Sequence, residues 1–330
     1  MTSEACNRLL TAMLCALALI AGCSSGAQPG SHAQLRVAGS GSDLGQPDPH
    51  VSTKSQDKFL FGLLYNGLVR FHPGRADAAA IEPDLAERWS VSADRLVWTF
   101  QLRRDVRFHE LGRTLTAADV VYSLHRVANP QLSSVAADYA VITDASALDD
   151  HTVQITLARP TPYLLGLVSN YQGGMVVAAP SAAGPAKNAI GAPYGTGPYY
   201  VADYQPRRYL LLRGNPEYFR GRPQIDSIIY RFVDSDVSRE LASLNGELDL
   251  FLGVREGRWV RRVSHRPNMT VDVFGPPELR SLHLDRSKPP LGDVRVRRAI
   301  AHAIDREALV SFIGPEVARL ARSPLPAGYS

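Results

Sequence analysis

A short serine and glycine run near the start of the chain has residue types that can bind a ligand through hydrogen bonds. Residues 35–38 read as a strand, and the sequence Gly-Ser-Gly-Ser follows it at residues 39–42. Such a loop offers backbone donors and two hydroxyls without bulky side chains, so it can lie close to a bound molecule. It does not complete a dinucleotide-binding fingerprint, because Leu44 stands where the third glycine is required. The alternative is a turn that merely ends the strand.

The sequence gives little support to an enzyme. Outside residues 22–26, next to the apolar N-terminal run, it contains no G-x-S-x-G; it contains no H-E-x-x-H and no P-loop G-x-x-x-x-G-K-[ST], and its nine His residues lack metal-ligand spacing. His109 and Glu110 form an adjacent His and carboxylate pair, which we expect on the solvated surface. We therefore predict no catalytic residue, no bound metal and no cofactor. An exported hydrolase whose site is assembled from distant residues is an alternative.

Charge and length limit the classes of protein that remain. Lys and Arg number 36 against 32 Asp and Glu, and this excess is too small to indicate a nucleic-acid partner. The densest basic stretch runs from Arg255 to Arg266, but Glu256 interrupts it and only Trp259 could stack on a base. We interpret the stretch as a solvated face. With 330 residues and 45% hydrophobic content, the chain can form two domains or one large two-lobed body.

The first 22 residues are predicted to be an export signal. Arg8 supplies a positive charge, and an apolar run over residues 9–21 has the length of a signal-peptide core rather than of a membrane span. The alternative is a buried N-terminal helix. Because the three cysteines all lie within the first 23 residues, the body of the protein has no thiol for a disulfide, a zinc site or nucleophilic catalysis.

The residues that follow the apolar run predict a lipid anchor. The sequence Ile-Ala-Gly-Cys at residues 20–23 resembles the bacterial lipobox, in which the Cys thiol accepts diacylglycerol. Cys23 is therefore the predicted lipidation site, and residues 23–34 are a flexible tether. We expect the mature protein to be held at the outer face of the cytoplasmic membrane by its acyl chains and to be otherwise soluble.

Apolar periodicity predicts a mixed α/β fold. Helices are expected over residues 55–68, 117–128, 238–245 and 294–313. Strands are expected over residues 35–38, 96–102 with 106–108 continuing the pairing, 153–157, 209–212, 228–233 and 269–274. Thr116 and Asp119 have the spacing of a capping box, and Asp293 and Asp305 are expected to start helical segments.

Four aromatic residues could be mistaken for a ligand-stacking cluster. They are Trp89, Trp98, Phe100 and Phe108. Their spacing is that of strands with one buried face, so we predict that they belong to the core.

Several short sequence blocks follow one another along the chain. They are LYNGLVRF (64–71), IEPDLAERW (81–89), WTFQLR (98–103), VRFH (106–109), LTAADVVYSL (115–124), GTGPY (195–199), NPEYF (215–219), GELD (246–249) and PLGDVRVRRAI (290–300). In this order the blocks resemble the family 5 bacterial extracellular solute-binding proteins, the dipeptide, oligopeptide and nickel binders of ABC importers. The resemblance covers nearly all of the chain from Leu35 to Ile313.

The resemblance implies a two-lobed periplasmic-binding-protein fold of type II, which closes on its ligand like a Venus flytrap. Lobe I, with its inserted subdomain, would comprise residues 35–275, and residues 276–330 would begin lobe II, which would be incomplete. The resemblance places Ser40, Gly41 and Ser42, and the region around Tyr65 and Asn66, on the cleft between the lobes. The alternative is that Tyr65 and Asn66 only terminate a helix.

The implied function is that of a monomeric receptor subunit. It would capture a peptide or a related small solute and deliver it to an ABC permease and ATPase complex in the membrane. A second alternative is a C-terminally truncated product that binds nothing. Its expected sign is an exposed apolar face on the helix from Val294 to Ile304.

Overall fold

The computed structural model describes residues 33–74, 80–180, 188, 190–273 and 280–321. The predicted signal peptide, Cys23 and nearly all of the predicted tether lie outside these residues and stay predictions. Within the described part, no helix has the length and apolar character needed to cross a bilayer.

Helices and strands alternate along the described chain, as expected for a mixed α/β fold. The helices are α1 (Ser55–Leu64), α2 (Ala117–Ala128), α3 (Ala136–Tyr139), α4 (Leu164–Leu167), α5 (Asp236–Leu244), α6 (Gly257–Ser264), α7 (Val294–Ala303) and α8 (Arg306–Ile313). The strands are β1 (Gln34–Gly39), β2 (Val69–Phe71), β3 (Ile81–Pro83), β4 (Ala86–Val91), β5 (Val97–Leu102), β6 (Ile142–Asp149), β7 (Thr152–Leu157), β8 (Tyr199–Gln205), β9 (Tyr209–Gly214), β10 (Ser227–Phe232) and β11 (Leu250–Phe251).

A four-stranded antiparallel sheet forms around the aromatic strand that the sequence predicts. Its spatial order is β4, β5, β7, β6, and Phe100 of β5 pairs with Val153 of β7. Phe100 and Phe108 are buried, and Trp89 and Trp98 pack against the same apolar cluster. The prediction that these aromatic residues belong to the core is confirmed.

Helix α2 covers this sheet and begins where the sequence predicts. The buried carboxylate of Asp119 accepts a hydrogen bond from the Thr116 backbone N–H at 3.0 Å and forms an ion pair with Arg113 at 2.8 Å. A carboxylate in the first turn satisfies a backbone donor at the helix terminus and interacts favourably with the helix dipole. The helix ends at Ala128, before Asn129.

The second sheet has five strands in the order β11, β1, β10, β9, β8. Strand β1 runs parallel to both of its neighbours, β10 and β11. Helix α1 packs on the sheet through Leu60 and Leu64, which share a buried cluster with Leu210 and Tyr230. The helix ends at Leu64 and not at residue 68, because Tyr65 is in an extended conformation.

The two helices α7 and α8 begin at the predicted caps but bury no side chain. Asp293 accepts a hydrogen bond from the Arg295 N–H at 2.8 Å, and Asp305 accepts one from the Ala308 N–H at 2.9 Å. Neither helix has a buried residue. Phe312 of α8 is 80% exposed. On the segment from Val294 to Ile304, where an exposed apolar face is expected, Val294 is 47% exposed and Ile304 is 36% exposed.

Two predicted strand segments differ from the structure. Residues 269–273 form no strand, and residues 106–108 do not extend β5, because Arg107 pairs with Thr114 in an isolated bridge.

The basic stretch agrees with the predicted solvated face. Its residues Arg255, Arg258, Arg261 and Arg262 are exposed. Helix α6 buries Val260 and Val263, because valines three residues apart lie on the same side of a helix, and Arg262 binds the carboxylate of Glu240 at 2.8 Å.

Candidate functional site

The carboxyl ends of three parallel strands lie at one edge of the five-stranded sheet. Strand β1 leads into residues 40–43, β10 into 233–235 and β11 into 252–254. The loops after β1 and β10 are joined by a hydrogen bond from the Val233 N–H to the Gly39 carbonyl at 3.3 Å. Ligands of open α/β sheets bind outside the carboxyl ends of the strands, so this edge is the candidate ligand site.

The loop over residues 40–43 is held from both sides. The Gln56 side chain donates to the Asp43 carbonyl at 3.0 Å, and the Tyr204 hydroxyl donates to the Asp43 carboxylate at 2.7 Å. Gly41 has a φ of 107°, and a Cβ there would lie 2.3 Å from Gln56 Oε1. Glycine is therefore required at this position. Ser40 and Ser42 are exposed on the loop, as a ligand-contacting role requires.

The carboxylate of Asp43 carries negative charge beside this loop. Burial by itself would raise its pKa, but hydrogen bonds from the Tyr204 hydroxyl and from the backbone N–H groups of Arg207 and Leu44 outweigh burial and lower the pKa. Asp43 thus fixes the loop by charge-assisted hydrogen bonds.

A buried arginine holds the loops that follow β10 and β11. The Arg239 side chain, 1% exposed, donates to the Leu252 carbonyl at 2.8 Å and to the Asp234 carbonyl at 3.0 Å. It also pairs with the Asp236 carboxylate. Sequence reasoning missed Arg239, because the loop carbonyls that it binds have no side-chain signature. The one local signal is Asp236, three residues earlier on the same helix face.

The first glycine of the loop is required by packing and not by a ligand. A Cβ on Gly39 would lie 1.5 Å from the hydroxyl oxygen of Tyr230, whose ring is buried at the end of β1. Burial raises the pKa of Tyr230 to about 12. Its hydroxyl has no hydrogen-bond partner within the described part of the chain. The close approach at Gly39 is therefore an internal contact.

Tyr65, which the family resemblance places on the cleft, lies in the core. Its side chain is 1% exposed, and its hydroxyl donates to the Pro193 carbonyl at 2.8 Å. Burial raises the pKa of this hydroxyl far above its ordinary value. A side chain enclosed in this way cannot reach a ligand, so the structure agrees with the alternative that Tyr65 ends helix α1.

Asn66 is also a core residue, with partners for both ends of its amide. The amide nitrogen donates to Asp84 at 3.0 Å and to the Tyr218 hydroxyl at 3.2 Å, while Thr196 donates to the amide oxygen at 3.1 Å. Asp84 is fully buried and is paired with Arg220 at 3.1 Å. Burial raises the pKa of Asp84, although the bonds from Asn66 and Arg220 act in the opposite direction. Asn66 therefore joins distant segments rather than facing a cleft.

His109 is buried, contrary to the expectation of a solvated pair with Glu110. Its Nε2 lies 2.8 Å from the Gly197 carbonyl oxygen, so this nitrogen carries a proton and donates it. Burial lowers the pKa of His109 to about 4. Glu110 takes a left-handed conformation with a φ of 55° and is exposed. The expectation failed because Gly197, which caps the imidazole, is distant in sequence.

His109 borders a small cavity of about 190 Å³. The cavity is also lined by Arg107, Tyr200, Asn215 and Glu217. Among the residues that the structure describes, no group of three or more His, Cys, Asp or Glu side chains has the arrangement of a metal site.

A family model and the curated relatives agree on the affiliation of the chain. Residues 80–330 match the model of the bacterial extracellular solute-binding proteins, family 5. The di/tripeptide-binding protein 2 of Pseudomonas aeruginosa is 29% identical over 80% of this chain and 53% of its own length. The dipeptide-binding protein of Escherichia coli is 28% identical over 88% of this chain and 55% of its own length. The chain thus spans about half the length of these relatives.

Solved structures show the same fold. The PBP/SBP MoaA of A. tumefaciens R10, solved in complex with mannopinic acid, is 38% identical with a TM-score of 0.80, over 90% of this chain and 60% of that one. DppA of Helicobacter pylori, in complex with the peptide STSA, is 24% identical with a TM-score of 0.72, over 89% of this chain and 60% of that one. The mixed α/β periplasmic-binding-protein fold is confirmed, and the chain belongs to the family 5 bacterial extracellular solute-binding proteins.

Proposed function

We propose that this chain provides the ligand-binding edge of a receptor that captures a peptide or a related small solute for an ABC importer. The observation that carries the proposal is the edge where β1, β10 and β11 end together, with Ser40 and Ser42 exposed and the loop backbone fixed. Membership of a family of binding proteins, rather than of enzymes, supports it.

The chemistry of the loop suits a ligand rich in hydrogen-bonding groups. Ser40 and Ser42 each offer a hydroxyl that both donates and accepts, and Gly41 lets the ligand approach the backbone. Such groups can pair with the amides of an extended peptide. They can equally pair with the hydroxyl and carboxylate groups of a small sugar acid. The peptide-binding relatives support a peptide ligand. The solved complex with mannopinic acid supports a small sugar acid.

Capture and delivery would follow from closure of two lobes and not from bond chemistry. A ligand that contacts both lobes lowers the free energy of the closed state, because it binds that state better than the open one. The closed form would then present a docking surface to the permease and its ATPase. In this proposal residues 35–275 belong to lobe I and residues 276–330 to lobe II.

The lipid anchor forms part of the same proposal. Lipidation at Cys23 would hold the receptor at the outer face of the cytoplasmic membrane, within reach of a permease. Expression of the full chain in a bacterium fed a radiolabelled fatty acid tests this. We expect label on the wild type and on Cys15→Ser, and none on Cys23→Ser. Label on Cys23→Ser would contradict the anchor.

Calorimetric titration tests ligand capture. The full chain is titrated separately with Ala-Ala, with Ala-Ala-Ala and with mannopinic acid, and each mixture is then analysed by mass spectrometry for cleavage. We expect saturable binding of one ligand class without turnover. Replacing both hydroxyls, in Ser40→Ala/Ser42→Ala, should weaken binding about tenfold, equivalent to about 1.4 kcal/mol.

Ser90→Ala is the matched control, because Ser90 is an exposed serine of β4 in the other sheet. It should bind as the wild type does. Cleavage of the peptides would favour the hydrolase alternative. Absence of binding by a chain with a normal circular dichroism spectrum would favour the non-binding alternative.

A further inference from the structure

The cavity beside His109 lies at the opposite edge of the five-stranded sheet from the candidate ligand site. Tyr200, near the start of β8, and Asn215, just after β9, line it. Because β9 runs antiparallel to both β8 and β10, these ends of β8 and β9 lie beside the amino end of β10. Strand β10 has six residues, so roughly 17 Å separates the two edges. The cavity is therefore a separate place on the molecule.

His109 offers a hydrogen-bond acceptor to this cavity. Its side chain is 8% exposed, and its Nε2 donates a proton to the Gly197 carbonyl at 2.8 Å. Burial lowers the pKa of the imidazole to about 4, so the ring is neutral at pH 7 and Nδ1 keeps its lone pair. None of the described residues donates to Nδ1. Because an acceptor left without a partner in a buried ring is unfavourable, a donor in the cavity would be stabilised there.

The imidazole is held in place by the segments around it. The Gly197 carbonyl also accepts from the Asn215 amide at 3.3 Å, and the Asn215 amide oxygen accepts from the Glu217 backbone N–H at 3.0 Å. The backbone N–H of His109 donates to the Gly195 carbonyl at 3.0 Å. These bonds fix the wall of the cavity before a ligand arrives, which lowers the entropic cost of binding.

The charged side chains around the cavity leave an excess of negative charge. Two carboxylates, Glu110 and Glu217, and one guanidinium, Arg107, line it. Arg107 lies 3.6 Å from Glu217 and donates to the Gly112 carbonyl at 3.1 Å, while both glutamates are exposed. Two negative charges and one positive charge, beside a neutral imidazole, favour a cation over an anion.

A primary ammonium group matches these acceptors. It carries one positive charge and three N–H donors, and the lining supplies two carboxylates and the Nδ1 lone pair. The Tyr200 ring, 6.0 Å from the imidazole ring, adds an aromatic wall for a cation and its alkyl chain. A metal ion fits less well, because no three His, Cys, Asp or Glu side chains of the described chain are arranged to hold one.

The size of the cavity limits the ligand. Its volume of about 190 Å³ is smaller than the roughly 300 Å³ at which sites for drug-sized ligands begin.

We propose that this cavity is a second binding site, which takes a small primary amine in its ammonium form. The ammonium group donates to Nδ1 of His109, and its charge is balanced by Glu110 and Glu217. The site uses no residue of the sheet edge and does not depend on the function proposed for that edge.

Nitrogen NMR of the full chain carrying 15N-labelled histidine tests the site, because the Nδ1 resonance moves when this atom accepts a hydrogen bond. The variant His109→Gln identifies the His109 signals by their loss. The probe is n-propylammonium chloride. Propan-1-ol, which has no charge, and tetramethylammonium chloride, which has the charge but no N–H donor, are compared with it at constant ionic strength.

We expect n-propylammonium to shift the Nδ1 resonance of His109 saturably, with a dissociation constant of about 1–10 mM, as suits a ligand of so few atoms. Propan-1-ol should cause no shift. Tetramethylammonium should bind about tenfold more weakly than n-propylammonium, because it cannot donate to Nδ1.

Replacement of the carboxylates tests the role of charge. Glu217→Gln should weaken n-propylammonium binding about threefold, and Glu110→Gln/Glu217→Gln about tenfold, since each change removes an exposed charge that contributes modestly by itself. Glu307→Gln is the matched control, because it removes an exposed carboxylate of α8 that does not line the cavity. It should bind as the wild type does.

The absence of a saturable shift at His109 would overturn the site. Equal binding of n-propylammonium and tetramethylammonium, or unchanged binding in the double glutamate variant, would overturn the recognition of an ammonium group. A shift at His109 with Zn²⁺ but none with n-propylammonium would overturn the amine in favour of a metal ion. Because the probe and the variants avoid the sheet edge, a failure to bind peptide or mannopinic acid would count only against the proposed function.

Discussion

Two regions of the molecule have equally clear local signals in the sequence but are stabilised differently. One is the antiparallel sheet with helix α2, and the other is the helix pair α7 and α8. Helix α2 starts at Thr116, whose backbone N–H donates to the Asp119 carboxylate, and buries four apolar residues, among them Val120 and Leu124. Helices α7 and α8 start at the cap residues Asp293 and Asp305, whose carboxylates likewise accept from backbone N–H groups, yet they bury no side chain. Caps and propensity therefore set where a helix begins, while packing decides how much the helix contributes to stability.

The same contrast applies to charged groups. In the sheet region, buried Asp84 and Asp119 are each paired with an arginine, because an unpaired buried charge is costly. In residues 280–321, the local ion pairs are exposed, as between Asp293 and Arg295. Changes in the first region should alter global stability, and changes in the second should alter only local order.

The largest expected difference in the free energy of unfolding is between alanine variants of two phenylalanines, one in each region. Phe100→Ala removes a fully buried ring and should lower the free energy of unfolding by about 3–5 kcal/mol. Phe312→Ala removes a ring that is 80% exposed and should change it by less than about 0.5 kcal/mol. Urea unfolding of both variants measures the two values. Equal losses would show that α8 is packed as firmly as the sheet.

Acid should destabilise the packed region through its buried histidines. Burial lowers the pKa of both His50 and His109 to about 4, against about 6.5 in an unfolded chain. Between these values the unfolded state binds more protons, so stability is full above pH 6.5 and falls as the pH falls toward 4. His109 accounts for about 3 kcal/mol across this window.

The variant His109→Gln tests this dependence, because a glutamine amide can still donate to the Gly197 carbonyl but does not titrate. The free energy of unfolding, measured at pH 7 and pH 4.5, should fall less in His109→Gln than in the wild type. Identical losses would mean that His109 is protonated in the folded chain at pH 4.5.

Replacing Asn66 should have an intermediate effect on the free energy of unfolding. Asn66→Ala leaves Asp84 and the Thr196 hydroxyl with fewer partners in the core and should lower the free energy of unfolding by about 2 kcal/mol. Asp285→Ala, which removes an exposed turn residue, is the control and should be nearly neutral. Weaker solute binding by folded Asn66→Ala at full stability would restore the cleft role predicted from the sequence.

The smallest effect is expected at the cap of α8. Asp305→Ala removes the side chain that accepts from the Ala308 N–H and should destabilise this helix by about 1 kcal/mol. Hydrogen exchange should then speed up at the amides of α8, while those of α1 serve as an internal control. Faster exchange in both helices would indicate that α8 unfolds together with the sheet.

Elements with a strong local signal could be predicted from the sequence. The alternation over β5, the start of α2 and the caps at Asp293 and Asp305 agree with the structure. Strands β4 and β6 were missed because most of their positions are exposed and their apolar residues do not alternate regularly with polar ones. Residues 269–273 have strand-like composition but do not pair with a neighbouring strand in the described structure, and composition alone cannot supply one.

The candidate site was predictable only where its residues act locally. Ser40, Gly41 and Ser42 follow a strand that the sequence marks clearly, and the structure leaves both serines exposed. Whether they contact a ligand stays a prediction. Tyr65 and Asn66 carry the same kinds of polar group but are enclosed by segments far away in the chain.

The sequence by itself determined the family, the mixed α/β class and the position of most helix and strand starts, because these follow from motifs, periodicity and caps within about ten residues. Only the tertiary structure decided which polar groups are buried. The carbonyl that covers His109, the loops that bind Arg239 and the contact of Gly257 with Gly314 all join segments distant along the chain. Such contacts depend on how the elements pack, and no local pattern encodes them.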